Sequence, residues 1–339
     1  MKVFLRNFPR ERKELLKQMQ INFPYYKGLG PKFPNYLAGI LGLYDIMTDA
    51  APDIFEIAIE NLIKLDASIT RDQLQQYQRQ ELKKDAERKA QSGGSRVGGT
   101  TATTRRDSES ATSAGEEELD ASSDDESEDE DNIVQLSDLD ASQCKMLDTS
   151  LEKLLAFVKK KTFIVEEVKI STTTGDNDSK KEGVAEKLET FSEDTGDPMM
   201  QTFLKLFTSH ILTSDKLNSV QFIVFFLVNQ SKAYIKQFLN INLEIFKSVN
   251  QASIIRQSAI NHFGGFLCRS LEVGPKTLRK RLNQLVKWIH GYIGRDSSAA
   301  CDYMAVNLTS HGPFYSACQA AFYVVAFRHA DLVEVRINC

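Results

Sequence analysis

Two histidines and a cysteine share one apolar stretch, HGPFYSACQAAFYVVAFRH, as His311, Cys318 and His329. Imidazole and thiolate are zinc ligands, and a thiol beside an imidazole is a nucleophile with its base. On a helix, spacings of seven and eleven residues put all three on one stripe. The rise of about 1.5 Å per residue then places His311 roughly 10 Å from Cys318 and about 27 Å from His329. Zinc holds its ligands at about 2.0–2.3 Å, and a Cys–His pair needs hydrogen-bond reach. Neither fits within one helix. The segment is expected to be a buried core helix, and chemistry with groups brought from elsewhere is the competing reading.

Other catalytic signatures are missing from the sequence. It holds no Gly-rich phosphate loop, nucleophile elbow, HExxH or metal-ligand cluster, and GGSRVGG lacks the Lys-Ser/Thr of a P-loop. The expectation is no catalytic residue, no metal, no cofactor and no small-molecule substrate. Five scattered cysteines (144, 268, 301, 318, 339) include no CxxC, so a disulfide framework is not expected and a reducing compartment is. The basic start MKVFLRNFPRERKELLK lacks the apolar core of a signal peptide. The apolar run 222–228 falls far short of the ~20 residues that cross a bilayer, so no membrane association is expected.

Charge is unevenly divided. The net charge is −4, yet EEELDASSDDESEDED at 116–131 carries eleven acids and no base, leaving the remainder at about +7. Within this tract Ser122, Ser123 and Ser127 each have an acid three residues on, a pattern read by acidophilic kinases. They are phosphorylation candidates, though such serines are common in any acidic tract.

The remaining segments must carry whatever surface does the work, and they read as helices. FPNYLAGILGLYDIM and PDIFEIAIENLIKLD have helical apolar spacing, and Pro52 suits a first turn. TRDQLQQYQRQELKKDAERKA is a polar helix expected to project into solvent. After Ser142 amphipathic segments recur at about 20 residues each, the range of HEAT-type repeats. VQFIVFF is apolar on all sides, as a helix sandwiched in such a stack would be. The expected fold is an all-α, HEAT-like helical-repeat solenoid with a long disordered acidic insertion. Residues 1–90 are read as incomplete N-terminal repeats and 91–133 as the disordered insertion. Residues 134–339 are read as further repeats, with a short polar loop near 171–183. VEVRINC offers no polar cap, so the chain looks cut short.

PKTLRKRLNQLVKWIHGY puts Leu278, Leu282, Leu285, Val286 and Ile289 on one face and Lys276, Arg279, Lys280 and Lys287 on the other. The basic face is either a solvated helix side or a patch for an acidic partner or phosphates. Trp288, beside the apolar stripe, is expected in the core.

Several collinear stretches resemble the RNA polymerase I-specific transcription initiation factor family (TIF-IA and its yeast relatives). They are FPYYKGLG, EIAIENLIKLDASI, SVQFIVFFLVNQS, SIIRQSAINHFGGFLCRSLEVGP, LVKWIHGYI and the HGPFYSACQAAFYVVAFRH segment, spread over about residues 22–330. The resemblance implies a non-enzymatic HEAT-repeat protein of the nucleus and nucleolus. Such a protein binds RNA polymerase I, makes it initiation-competent and bridges it to the promoter selectivity factor (core factor) at ribosomal DNA. Weak DNA contact is an associated expectation. Family members are longer at both ends, which implies that early repeats with much of the phospho-regulated polymerase surface, and later repeats, lie outside this chain. A family stretch of Ser-Phe-Leu-Ala-Arg-Ala type, implicated in contacting the selectivity factor, is similar to GFLCRSL here. Phe266, Leu267 and Arg269 agree with it. Gly265 replaces serine, Cys268 and Ser270 replace alanines, and Leu271 stands where a polar or basic residue is common. Partner binding is thus expected at Phe266, Leu267, Arg269 and Ser270, and on the basic face at Lys276, Arg279 and Lys280. Two other classes compete with this reading: a generic helical-repeat scaffold, and an enzyme using Cys318 or Cys268.

Overall fold

The computed structural model describes residues 9–28, 30–93, 137–169, 185–214, 216–296 and 308–333. Eleven α-helices are found among the described residues: α1 (Pro9–Ile21), α2 (Lys32–Leu41), α3 (Ala51–Ser68), α4 (Arg71–Gly93), α5 (Asp138–Thr162), α6 (Glu193–Leu206), α7 (Gln221–Val228), α8 (Lys232–Lys247), α9 (Ser253–Arg269), α10 (Pro275–Asp296) and α11 (Leu308–Val333). The all-α helical stack is the architecture that the apolar spacing predicts. The acidic insertion and the polar loop near 171–183 lie outside the described residues.

Local chemistry sets several of the helix ends. Pro52 stands in the first turn of α3, where a missing N–H costs nothing. Ser137 caps α5 by accepting from the Asp140 amide at 3.1 Å. Asp138 and Asp140 stand at the positive end of that helix, and Lys159, Lys160 and Lys161 at its negative end. Ser231 caps α8 through the Ala233 amide.

Aromatic contacts tie neighbouring helices of the stack together. Phe55 of α3 meets Phe203 of α6 at 4.9 Å between ring centroids. Phe207 meets Phe238 of α8 at 5.0 Å, and Phe238 meets Phe266 of α9 at 5.2 Å. Helix α7 is buried on nearly every side, through Ile223, Val224, Phe225, Leu227 and Val228. Its start is tied to α3 by a buried carboxylate. Oδ2 of Asp66 accepts from the amides of Asn218 (3.1 Å), Ser219 (2.8 Å) and Val220 (3.0 Å), so residues about 150 apart in sequence share one cap. Burial pushes the Asp66 carboxyl above its ordinary range, and the amide donors partly offset that.

Within the all-α fold the described residues include one small hairpin that the sequence reading did not place. Strands β1 (Phe163–Lys169) and β2 (Ala185–Phe191) pair antiparallel, from Phe163↔Phe191 to Lys169↔Ala185. The run FIVEEVK contains β-branched residues that favour a pleated ribbon over continuation of α5. Phe191 at the root of the hairpin sits against α6 at Gly196, where a Cβ would lie 2.1 Å from its ring.

One expectation is corrected, and it concerns α11. One face is buried through Ala317, Ala320, Ala321 and Val324, but Phe322 is 74 % exposed and Phe327 69 %. The apolar stretch is therefore core on one side only. Helix α4 has an anchored half too, since Tyr77 is buried while Leu82 is exposed.

Candidate partner-binding surfaces

Helices α9 and α11 pack face to face and position the segment Gly265–Leu271. The approach is close at Gly264, where an added Cβ would come within 2.8 Å of the Ala320 Cβ. One buried cation locks the pair. Arg328 of α11 donates from Nη1 to the carbonyls of Leu267 (3.0 Å) and Ser270 (2.7 Å), and from Nη2 to that of Val273 (2.9 Å). Its Nε pairs with Asp331. These carbonyls lie at or just beyond the end of α9, where helical partners run out and positive charge is favoured.

Within that frame Phe266 and Leu267 are buried and pack into the core cluster. Ser270 is buried as well, and its Oγ donates to Asn229 Oδ1 at 2.5 Å. Arg269 is exposed. Its Nη1 donates to the Gly265 carbonyl at 3.2 Å, and its guanidinium lies 5.7 Å from the Phe222 ring centroid. Two hollows of about 490 and 500 Å³ adjoin it and share Arg71, Asn261, Gly265 and Arg269 in their walls. Arg71, at the start of α4, was not visible in sequence as part of this surface. Nearly two hundred residues separate it from Arg269, and no local signal joins them.

The basic face of α10 is placed differently. Lys276 and Lys280 are exposed and line a groove of about 760 Å³. Arg279 is half-buried, and its Nη2 donates to the Leu332 carbonyl at 3.1 Å, so it joins α10 to the end of α11. Leu278, Leu285 and Ile289 are buried as the apolar stripe requires. Trp288 is half-buried, with its ring 4.3 Å from that of Phe246.

The histidines and thiols scatter. His311 Nδ1 lies 2.9 Å from the Tyr292 hydroxyl, His329 is exposed, and Cys318 is half-buried between them. Burial pushes the thiols of Cys318 and Cys268 up, and that of Cys144 up to about 11, the opposite of nucleophile activation. The described residues hold one trio with metal-ligand chemistry that sequence spacing could not show, Glu56, Glu60 and His210. There the His210 Nε2 faces Glu56 at 3.0 Å, while Nδ1 faces Glu60 at 3.8 Å. With one nitrogen toward each carboxylate, the ring joins α3 to the π-turn Phe207–Ile211. Ser122, Ser123 and Ser127 lie outside the described residues. No helix among the described residues is long and apolar enough to cross a membrane.

Comparison with known proteins places this arrangement. The chain is 26 % identical over 312 residues to the RNA polymerase I-specific transcription initiation factor RRN3 of Mus musculus, covering 92 % of this chain and 40 % of that relative. A 131-residue stretch is 22 % identical to the factor of the same description from Schizosaccharomyces pombe, covering 39 % of this chain and 21 % of the relative. The chain thus spans less than half the length of these curated relatives. In fold it is similar to the crystal structure of RNA polymerase I transcription initiation factor Rrn3, with a TM-score of 0.60 at 18 % identity, over 97 % of this chain and 51 % of that one. The family described as RNA polymerase I specific transcription initiation factor RRN3 matches residues 1–337, and the chain belongs to that family.

Proposed function

We propose that this chain acts in RNA polymerase I initiation as a non-enzymatic adaptor, binding the polymerase and bridging it to the promoter selectivity (core) factor at ribosomal DNA. The observation that carries the reading is the family match across residues 1–337. Nuclear, and within the nucleus nucleolar, residence follows from that role, and weak DNA contact is part of the same reading. The core-factor contact is assigned to the cleft walled by Arg269 and Arg71. Phe266 and Leu267 act there as buried anchors and Ser270 as a brace. Two arginines with an exposed aromatic neighbour at Phe222 suit an acidic or aromatic partner segment.

Reversal of charge tests this assignment. Arg269→Glu combined with Arg71→Glu should weaken binding of purified core factor at least tenfold while leaving the thermal midpoint unchanged, because Arg269 is exposed and α4 begins at Arg71. Unchanged core-factor affinity would remove the cleft from the interface.

A further inference from the structure

The groove at the base of α10 is built against the electrostatics of its own helices. Lys232 and Lys236 stand four residues apart at the start of α8, and Lys276 and Lys280 repeat that spacing at the start of α10. Like charges at this spacing repel, and cations at a helix N-terminus oppose the macrodipole. All four are exposed, and none forms an ion pair among the described residues. Their groove also contains Arg281, which is 7 % exposed with one hydrogen bond, from Nη1 to Gln284 at 3.1 Å. Glu272 is the sole acid in the lining, and buried Ile235 and Val273 add apolar wall. Two N-terminal helix turns facing one hollow with five cations would each be relieved by a polyanion.

We propose that this groove binds acidic peptide segments, and that its occupant in the free chain is the chain's own tract 116–131. Complementarity is direct: eleven carboxylates within sixteen residues meet five cations and one acid. The tract is tethered at both ends, by α4 and by α5, which gives a high effective concentration without requiring strong intrinsic affinity. Reach is sufficient. Helix α5 has 25 residues and so runs about 37 Å from the tract's attachment toward the hairpin, whose Phe191 ring lies 5.9 Å from that of Tyr234 beside Lys232. Residues 116–124 precede Ser137 by enough chain to span roughly 43–70 Å.

Zero-length carbodiimide coupling of the intact 339-residue chain at low salt, followed by mass spectrometry of the monomer, tests the cis contact. Carboxylates of 116–131 should couple to Lys232, Lys236, Lys276 and Lys280 in preference to exposed lysines elsewhere, such as Lys64 and Lys205, and high salt should abolish the preference. In a second arm, a chain lacking 116–131 is titrated with the synthetic 116–131 peptide. Combining Lys232→Ser, Lys236→Ser, Lys276→Ser and Lys280→Ser should weaken binding at least tenfold with an unchanged circular dichroism spectrum. Peptide affinity that ignores the four lysines overturns the site. Peptide binding in trans without the cross-links in the intact chain assigns the groove to an acidic partner and overturns the intramolecular occupant. Loss of duplex DNA binding in the four-lysine variant, with peptide affinity intact, would make the groove a nucleic-acid surface and also sink the proposal.

Discussion

Arg328 shows how much one buried cation can hold. Three carbonyls around the end of α9 converge on it, and its removal leaves them without their donor inside the protein. Arg328→Ala should therefore cost about 2–4 kcal/mol, read as a lower urea midpoint. Arg328→Lys should recover only part of it, since an ammonium cannot span the same three acceptors. An unchanged midpoint for the alanine variant would dissolve the clamp. A lone arginine in the apolar run VVAFRHADL was the available signal, but its partners are more than fifty residues upstream and sequence spacing does not point to them. His262 makes a prediction of a different kind. Its ring packs edge-on against Phe207 at 5.1 Å, and burial pushes its pKa down to about 4. The unfolded chain takes up this proton near pH 6.5 and the folded chain does not until about pH 4. Its contribution to stability is thus fully present above pH 6.5 and is lost as pH falls toward 4, on the order of 2–3 kcal/mol. His262→Asn should flatten the acid limb of the urea midpoint plotted against pH; an identical limb in both chains would mean that the ring is solvated.

At the scale of elements, two adjacent glycines in α9 have opposite roles that the letters GG do not reveal. Gly264 faces Ala320 across the helix pair, whereas the nearest atom to a Cβ on Gly265 is the mobile Nη1 of Arg269 at 3.4 Å. Gly264→Ala should destabilise by about 1–3 kcal/mol through overpacking. Gly265→Ala should stabilise by up to about 1 kcal/mol through helix propensity. Thermal midpoints shifting in the same direction would contradict the packing. The helices themselves were legible because apolar period and capping residues agree, as at Pro52 and in the all-round apolar α7. The hairpin was not, because its polar strand AEKLETF carries little period-2 apolar signal and depends on its partner and on the fit of Phe191 to Gly196. Half of α11 was also misplaced, since an apolar run says nothing of which faces find neighbours.

The whole molecule is a helical stack whose polar features lie on separate surfaces: an arginine cleft between α4 and α9, and a lysine groove between α8 and α10. Collinear motifs made the family visible in the sequence, whereas the pairing of Arg71 with Arg269, and of Lys232 with Lys276, exists only once distant helices pack. Neither surface has been assigned to the polymerase itself, and the proposed binding of RNA polymerase I by this chain is tested by direct mixing. The purified chain is mixed with purified RNA polymerase I, and separately with RNA polymerase II, and each mixture is resolved by size-exclusion chromatography. Co-elution with polymerase I alone, weakening as salt rises, is the predicted result. Equal co-elution with both polymerases, or with neither, would contradict it.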